Sequence, residues 1–421
     1  MRLIRTTSRT ASGILAVLIH RESASFDRVN PAVKRIVADV RRSGDRALLK
    51  YAQRFDKLGA GQVIRVAPEE MASAWAELDP LLKRSFRTAA RQIRNFAKRQ
   101  RPQSWMSSPT AGLRTGQVVR PIDAVACYVP GGRHPLPSTM LMTVVPAQVA
   151  GVTRIAVFSP NPVADTLATA HLLGVTEMYR IGGAHAIAAA AYGTESISRV
   201  SKIVGPGNLY VTAAKRMVAQ EKGTGSIDML AGPTEIVITS EQGKPASIAA
   251  DLIAQAEHDP ATLSVFLTTK EPLAREVMTE VQQQSRGNFI AKEALKTSGY
   301  AIVCRNTEEA YELTNQLAPE HLTVDSAADL EWVQNAGSVF VGPYSPQPMG
   351  DYISGPNHTL PTGGMARFRG GLSVNDFVKL ITVQEYAQRG LDRLGPLAIR
   401  LAEAEGLAGH AAAIRDRLSE R

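Results

Sequence analysis

Beyond residue 119 the sequence alternates between two patterns, and this alternation constrains the fold more than any other feature. Short apolar runs rich in β-branched residues are each followed by a stretch with apolar residues at helical spacing. Strands that are apolar on both faces, with helices between them, predict a parallel sheet covered on both sides. The predicted strands are residues 123–128, 154–158, 177–181, 202–204, 235–238, 263–267, 301–304, 322–324 and 338–341. The predicted helices between them are residues 163–173, 184–192, 209–220, 246–256, 272–283 and 307–316.

The length of 421 residues exceeds a single ordinary core and predicts roughly two to three domains. A break at residues 223–232 divides the α/β part into two Rossmann-like lobes, residues 119–225 and 226–372, each an incomplete doubly wound parallel sheet. Within the second lobe, residues 342–372 are rich in Gly and Pro and predict a long functional loop.

Helical spacing is predicted on either side of these lobes. Residues 1–118 are expected to form a helical N-terminal region that packs on the α/β lobes, and Asp79 is expected to cap its last helix. Residues 373–421 predict a C-terminal helical tail. The helices expected in the two regions are residues 14–19, 33–42, 46–54, 69–77, 80–98, 374–389 and 397–417.

Composition excludes several classes of protein. The longest apolar run near the start, residues 14–19, is far shorter than the roughly 20 residues that span a bilayer, so no membrane association is expected. Two cysteines, Cys127 and Cys304, rule out a disulfide framework and favour a reducing, cytoplasmic location. Each lies in a β-type run, where a buried and inert thiol is expected.

The net charge of +9 leaves two interpretations open. The positive residues are scattered and no nucleic-acid recognition motif accompanies them, which favours a solvated basic surface that also attracts anionic nucleotides. The alternative is a basic nucleic-acid-binding protein on an idle α/β scaffold. It would bind DNA or RNA in a salt-sensitive way and would not depend on a metal.

Two glycine-rich turns follow predicted strands. Gly205-Pro206-Gly207-Asn208 opens a helix, but Tyr210 stands where the third glycine of a G-x-G-x-x-G fingerprint belongs. The glycines still allow close backbone approach, and Asn208 predicts a capped helix N-terminus suited to anions. As a bare motif, however, the pattern favours a purely structural turn. Residues 128–132, Tyr-Val-Pro-Gly-Gly, have the same character.

Four of the eight histidines lie in polar segments dense in carboxylates and amides: His258, His321, His358 and His410. Gln255 and His258 are three residues apart at the end of a predicted helix, so both side chains can face one ion, although this spacing also occurs by chance. Glu320 and His321 directly precede a strand, at an edge where α/β enzymes place chemistry, and a solvated junction is the alternative.

Two further segments carry candidate ligands. Asp351 and His358 flank a glycine-containing loop that can fold around a ligand or form an ordinary turn. Glu405 and His410 lie on the last helix, where such residues are often merely exposed. If these segments converge with the others, the donors are imidazole, carboxylate and amide, without thiolate. That set favours an exchangeable catalytic metal such as Zn²⁺ over a closed structural one.

At these segments the chain resembles the histidinol dehydrogenase family, from about residue 33 to residue 418. Several long motifs in one order make the resemblance specific. They are residues 128–132, 135–139 (Pro-Leu-Pro-Ser-Thr), 205–208, 231–235 (Ala-Gly-Pro-Thr-Glu), 255–258 (Gln-Ala-Glu-His), 318–322 (Ala-Pro-Glu-His-Leu), 350–358, 371–374 (Gly-Leu-Ser-Val) and 405–410.

The resemblance implies a homodimer with shared active sites. It implies one Zn²⁺ per subunit on Gln255, His258, Asp351 and His410, with the last ligand donated by the partner subunit, so that the C-terminal helices exchange between chains. The substrate, L-histidinol, would contact Thr234, Gln255, His258, His321, Asp351, His358, Glu405 and His410.

By the same resemblance, NAD would contact Tyr128, Asn208 and position 185. The sequence departs from the family here, because His185 stands where Gln is usual. An imidazole still forms hydrogen bonds, but its charge varies near neutral pH, so cofactor affinity is expected to differ. Thr234 replaces the usual Ser and keeps the hydroxyl, and Leu230 replaces Pro without a chemical consequence.

The implied reaction is a four-electron oxidation of L-histidinol to L-histidine through L-histidinaldehyde, the final steps of histidine biosynthesis. His321 would take the hydroxyl proton, and Glu320 would activate water for the second step. The alternative is a paralogue that uses the same zinc and NAD chemistry on another primary alcohol, such as a sulfonated propanediol. Glu405 and His410 argue against it, because they belong to the histidinol pattern.

Overall fold

The computed structural model describes residues 1–21, 26–131, 135–221 and 223–419. These residues form two compact units. The first comprises residues 1–100 and 123–377, and the second comprises residues 101–122 and 378–421. Among the described residues, no helix combines the length and the apolar character needed to cross a bilayer.

Strands and helices alternate along most of the chain. The strands are β1 (Arg2–Arg5), β2 (Trp105–Thr110), β3 (Leu113–Pro121), β4 (Ala124–Tyr128), β5 (Arg154–Phe158), β6 (Glu177–Tyr179), β7 (Lys202–Val204), β8 (Ser226–Ile227), β9 (Glu235–Thr239), β10 (Leu263–Thr268), β11 (Gly299–Val303), β12 (His321–Val324), β13 (Ser338–Val341) and β14 (Val378–Tyr386). The helices are α1 (Ala11–Ile19), α2 (Asn30–Phe55), α3 (Pro68–Glu77), α4 (Pro80–Gln100), α5 (Pro137–Ala150), α6 (Ala164–Leu172), α7 (Gly183–Tyr192), α8 (Leu209–Ala219), α9 (Pro245–Ala256), α10 (Glu271–Gln284), α11 (Phe289–Ser298), α12 (Thr307–Leu317), α13 (Pro348–Tyr352), α14 (Gln388–Ala404) and α15 (Ala408–Ser419).

The first unit contains a five-stranded parallel sheet in the order β6-β5-β4-β7-β8. From the buried central strand β4 the chain moves outward to β5 and β6, and then crosses back to β7 and β8. Helices α2, α7 and α8 bury their apolar residues on one face of this sheet. The order of strands reverses between β4 and β7, and a crevice opens at such a reversal, outside the carboxyl ends of the strands.

A six-stranded parallel sheet in the same unit has the order β1-β11-β10-β9-β12-β13. It starts at β9 and follows the same outward and return path, with β1 added at the edge. Helices α9, α10 and α11 pack on one face, and α1 and α12 pack on the other. The two successive parallel windings predicted from the sequence are therefore present, and the first extends to β8 instead of ending at residue 225.

The second unit combines an antiparallel sheet, β14-β3-β2, with the helical pair α14 and α15. The helix predicted at residues 374–389 is wrong. Residues Val374–Phe377 form one short 3-10 turn, and β14 then pairs along its whole length with β3. Apolar residues at 378, 380, 381 and 383 imitate helical spacing, but the ladder to β3 satisfies the backbone in extended form.

Most other predicted elements of the α/β part occur within one or two residues of their expected bounds. The two helices expected at 33–42 and 46–54 form one helix with a kink at Gly44, where φ is 46°. Asp79 caps α4, since its Oδ1 accepts a hydrogen bond of 2.9 Å from the Leu82 amide. The prediction that residues 1–118 are helical misses strands β1, β2 and β3. Strand β1 has no local signal because it joins a sheet formed by residues far along the chain.

Both cysteines are buried and unpaired, as predicted. Burial raises the pKa of the Cys127 thiol to about 12, and it raises the pKa of Cys304 to about 12 as well. Neither thiol is an available nucleophile at neutral pH.

Candidate active site

The carboxyl ends of the central strands of the five-stranded sheet open on a cavity of about 1050 Å³. Three residues predicted from the family resemblance line it together: Tyr128, His185 and Asn208. Tyr128 ends β4, His185 lies in the first turn of α7, and Asn208 caps α8. Tyr128 and His185, more than 50 residues apart in the sequence, are thus brought to one crevice at the reversal of the strand order.

Glycines bring the backbone turns of this cavity into close contact. A Cβ at Gly131 would lie 2.3 Å from the Pro160 carbonyl oxygen, and a Cβ at Gly205 would lie 2.2 Å from that of Tyr128. Gly205 also has φ of +110°, which favours glycine. Asn208 Oδ1 accepts from the amides of Tyr210 and Val211 at 3.0 and 3.2 Å. The predicted turn at 128–132 extends into Gly132, which lies outside the described residues.

His185 is bound to a residue that the sequence did not point to. Its Nε2 lies 2.7 Å from Asp56 Oδ2, and the same oxygen accepts a 2.9 Å hydrogen bond from the Gly182 amide. The His185 ring is only 1% exposed and lies beside Tyr51 and Phe55. Its Nε2 is therefore engaged by the protein, and its chief contacts orient the start of α7.

Positive charge lines the wall of the cavity that α2 and the residue after its cap provide. Arg35, Lys50, Arg54 and Lys57 all face the cavity. The carboxylate of Asp39 on the same wall is already bound, by the Tyr51 hydroxyl at 2.6 Å, and this hydrogen bond lowers its pKa. The wall is therefore rich in cations and suits an anionic ligand.

A second cluster forms at the amino ends of β9 and β12 in the six-stranded sheet. Glu320 Oε2 accepts hydrogen bonds from the Thr234 hydroxyl at 2.5 Å and from the Glu235 amide at 2.9 Å. Thr234 Oγ1 also lies 3.0 Å from Gln255 Oε1 at the buried end of α9. Three predicted residues from separate motifs are therefore in direct contact.

His321 occupies the centre of this cluster. Its Nδ1 lies 3.0 Å from the Glu235 carbonyl oxygen, which only accepts, so Nδ1 carries a proton. Its Nε2 is buried without a hydrogen-bond partner among the described residues and lies 3.9 Å from Asp351 Oδ1. Burial opposes the charged ring, but Glu320 and Asp351 outweigh it and raise the pKa of His321 to about 8.

His358 connects this cluster to α5. Its Nδ1 lies 2.8 Å from the Asp351 carbonyl oxygen, and its Nε2 lies 3.3 Å from Thr139 Oγ1 in the first turn of α5. Burial lowers the pKa of His358, although Asp351 opposes the shift. Helix α5 is the first helix after Tyr128, so a short stretch of chain leads from the cavity beside Tyr128 to the histidine cluster.

The sequence predicted that Glu320 and His321 lie at the edge of the sheet where α/β enzymes place chemistry, and this prediction is wrong. They lie at the amino edge, whereas α/β enzymes usually bind ligands at the carboxyl edge. At the carboxyl edge of this sheet, Asp325 Oδ2 accepts from the Glu241 amide at 2.7 Å, and Glu241 Oε1 accepts from the Thr269 amide at 2.6 Å. The protein's own carboxylates bind the amides that would otherwise face an anion.

Three of the predicted zinc and substrate residues are not in this network. His258 is exposed after the end of α9, with Nδ1 3.2 Å from the carbonyl oxygens of Ala254 and Gln255. Glu405 and His410 are exposed in the second unit, at the end of α14 and the start of α15. Within the described ranges, no group of three or more His, Cys, Asp or Glu gathers as a metal site would require.

Comparisons with known proteins identify the family. The family profile described as histidinol dehydrogenase matches residues 19–418. A histidinol dehydrogenase of Geobacillus kaustophilus (strain HTA426) is 46% identical over 401 residues, which cover 92% of this chain and 94% of that one. One of Methanothermobacter thermautotrophicus is 44% identical over 420 residues, covering 96% and 97%. The chain belongs to the histidinol dehydrogenase family.

A solved structure agrees with this assignment. The crystal structure of histidinol dehydrogenase from Elizabethkingia anophelis is 34% identical, covers 99% of this chain and 98% of its own, and superposes with a TM-score of 0.93. The predicted family is therefore confirmed, and with it the prediction of an oxidoreductase.

Several residues around the histidinol dehydrogenase site were not predicted. Asp56 binds His185, the Glu235 backbone contacts both Glu320 and His321, and Gln347 Nε2 donates to Asp351 Oδ2 at 3.1 Å. Only Glu235 and Thr139 lie in segments that the resemblance marks. Asp56 and Gln347 act through contacts across the fold, which no local pattern signals.

Proposed function

We propose that this chain oxidises L-histidinol to L-histidine through L-histidinaldehyde, with NAD as acceptor and one Zn²⁺ per subunit. Membership of the histidinol dehydrogenase family supports the substrate and the pathway, histidine biosynthesis. The observation that carries the chemistry is His321, a buried imidazole whose Nε2 lacks a partner among the described residues and lies beside Asp351. A buried, unpartnered basic nitrogen is expected where a substrate completes the site.

Two Rossmann-like lobes are supported by the strand orders, since both parallel sheets run outward from a central strand and return. The first lobe fits NAD. Tyr128, His185 and Asn208 line one cavity at the strand reversal, where Gly131 and Gly205 allow the backbone turns to pack closely. We assign His185 to this site chiefly through its position at the start of α7.

The donor types near the second cluster fit zinc. Gln255 and Asp351 lie in or beside the cluster and would supply amide and carboxylate donors, while His258, exposed just after α9, and the partner subunit's His410 would supply the imidazoles. Two buried polar atoms in this cluster, His321 Nε2 and Gln347 Oε1, lack partners among the described residues, which favours an additional ligand there. When bound, zinc orients and polarises the substrate oxygen, and NAD accepts one hydride in each of two oxidations.

His321 acts on the first proton. The Glu235 carbonyl holds the Nδ1 proton and fixes the tautomer, so Nε2, once it has lost its own proton above a pKa of about 8, takes the proton of the substrate hydroxyl. Loss of this proton and of a hydride from the adjoining carbon leaves the aldehyde. Thr234, Gln255 and His358 line the surroundings of this group and hold the polar ends of the substrate.

Glu320 acts on the second proton. Both of its hydrogen bonds fall on Oε2, which leaves Oε1 to take a proton from water. The resulting hydroxide adds to the aldehyde and gives the hydrate, whose oxidation yields the carboxylate. One histidinol, one water and two NAD⁺ therefore give one histidine carboxylate, two NADH and three protons.

The second unit supports a homodimer with shared sites. Its own core consists of Ile399, Ala402 and Ala411 with two partly buried neighbours. Large apolar side chains on its strands and helices remain exposed in the single chain, among them Trp105, Leu380, Ile381, Leu397 and Leu401. In the first unit, Tyr344 is 95% exposed beside the Asp351 cavity. We infer that a partner subunit covers these surfaces and brings its Glu405 and His410 to the site.

The test is the yield of NADH per L-histidinol consumed, with and without a chelator. We expect two NADH, loss of activity on chelation and recovery when Zn²⁺ is returned. A yield of one would indicate a simple alcohol dehydrogenase, and activity that survives removal of the metal would exclude the zinc role. A panel of non-imidazole alcohols, including a sulfonated propanediol, separates the paralogue, for which L-histidinol would be inert.

A further inference from the structure

A buried ion pair lies beneath the turn that carries Asn208. Lys215 on α8 and Asp228 after β8 are in direct contact, and their side chains are 3% and 0% exposed. Lys215 Nζ donates to the Gly205 carbonyl oxygen at 2.9 Å, and Asp228 Oδ2 accepts from the Gly205 amide at 2.7 Å. The pair therefore holds both polar groups of one glycine, at the first position of the Gly-Pro-Gly-Asn turn.

Gly205 controls how closely this turn approaches β4. Its backbone has φ of +110°, and a Cβ at this residue would lie only 2.2 Å from the Tyr128 carbonyl oxygen, so only glycine permits this close approach to the strand. Asn208 follows three residues later and begins α8. Fixing Gly205 therefore fixes Asn208 relative to Tyr128, the two residues that face the dinucleotide cavity.

The same ion pair begins the segment that leads to the histidine cluster. Asp228 Oδ1 accepts from the Met229 amide at 2.6 Å, and the Thr212 hydroxyl on α8 donates to the Ala231 carbonyl at 3.2 Å. Thr234, six residues after Asp228, contacts Glu320. One short, tightly bonded segment thus joins the dinucleotide turn to the substrate cluster.

We propose that Lys215 and Asp228 are positioning residues for hydride transfer, which hold the dinucleotide turn at a fixed distance from the substrate cluster. The proposal rests on the proposed role of NAD. A buried ion pair is a poor device for stability alone, because well-packed apolar side chains of similar size often stabilise a protein as well or better. The ion pair also makes two hydrogen bonds to the Gly205 backbone, which apolar side chains could not make.

The test compares two double variants. Lys215→Met with Asp228→Asn removes both charges, so no unpaired charge stays buried, and it releases the Gly205 carbonyl. Arg154→Met with Glu177→Gln is the matched control, since this pair also bonds to backbone carbonyls on the same sheet but at the amino edge. We expect the Kd for NADH in a fluorescence titration and the KM for NAD to rise about tenfold and kcat to fall in the first variant, with KM for histidinol within about twofold. The control is expected to change Tm but neither kinetic constant for NAD.

The following outcomes would overturn either the positioning role of the ion pair or the proposed function. Unchanged KM for NAD and kcat in the first variant, or an equal change in the control, would overturn the proposal. If the first variant does not fold, Lys215→Arg keeps the charge but moves the donor from the Gly205 carbonyl, and the same kinetic split is then required of it. Failure of the unaltered protein to form NADH from histidinol would instead overturn the proposed function.

Discussion

At the scale of single residues, the proposed mechanism uses different atoms of the second cluster for different protons. His321 offers Nε2 because Nδ1 is held by a carbonyl oxygen, and Glu320 offers Oε1 because Oε2 is held by two donors. Each side chain is thus oriented by the backbone or side chain of residues 234 and 235, at the start of β9. The two oxidation steps can therefore be impaired separately.

We expect His321→Asn to slow oxidation of histidinol by at least about 100-fold, because the base for the hydroxyl proton is lost. Glu320→Gln should slow oxidation of histidinaldehyde more than that of histidinol, because only the second step needs water. Single-turnover rates with each substrate measure both effects. His171→Asn, on α6, is the control. Full activity of both variants with either substrate would refute these roles.

His185 provides a second test at this scale. His185→Ala leaves the buried Asp56 carboxylate with the Gly182 amide as its remaining partner, so we expect a lower Tm and a KM for NAD raised about tenfold. His185→Gln restores a donor to Asp56 and should change KM by no more than about threefold. Thermal denaturation and initial rates check this. Equal KM values for the two variants would mean that the Asp56 bond is irrelevant to cofactor binding.

The sequence predicted only those site residues that lie in distinctive local motifs. Thr234, Glu320 and His358 belong to long motifs and do lie in one network. Asp56 and Lys215 could not be predicted, because their importance arises from partners more than ten residues away and nothing in the flanking sequence is distinctive. A charged residue acquires such a role only when the fold buries it.

At the scale of elements, hydrophobic periodicity predicted secondary structure best where one face of a helix or strand is apolar. Helix α5 was missed because it is buried on nearly all sides, and Pro146 lies within it. A helix without a polar face has no amphipathic period to detect. Strand β14 was mistaken for a helix for the opposite reason, since most of its residues are exposed and the spacing of its apolar residues is ambiguous.

The second unit depends on one close contact between elements. A Cβ at Gly390 in α14 would lie 2.1 Å from the Gly112 carbonyl oxygen in the turn between β2 and β3. We expect Gly390→Ala to destabilise this unit by about 2 kcal/mol and to reduce zinc content and histidinol turnover, while NADH binding is retained. Metal analysis and NADH fluorescence titration measure these effects. Gly13→Ala, where a Cβ meets open space, is the control, and equal loss of NADH binding would contradict the expectation.

At the scale of the whole molecule, length and alternation predicted the two parallel sheets, but not where the compact units divide. Residues 101–122 join residues 378–421, across more than 250 intervening residues. Pairing between distant strands depends on tertiary contacts that no local window contains. For the same reason, the sequence predicted a metal ligand in the C-terminal tail but could not predict how it reaches the other metal ligands.

Subunit complementation tests whether the sites are shared. Co-expressed Glu320→Gln and His410→Asn chains should form hybrids in which one site combines an intact Glu320 with the partner's intact His410. If half of the dimers are hybrids and each has one working site, we expect about a quarter of the unaltered activity. Activity is measured as L-histidine formed, and the two variants purified alone, each expected to form little L-histidine, are the controls. A mixture no more active than either variant would show that each chain completes its own site.

Separate cavities have a consequence for how two oxidations follow each other. Among the described residues, none lines both the cavity beside Tyr128 and the cavity beside Asp351. If NAD occupies the first cavity and the substrate the second, as proposed, spent dinucleotide can leave and be replaced while the half-oxidised substrate stays bound. The reactive aldehyde would then be oxidised while it is still bound, without being released to react with amines in the cell.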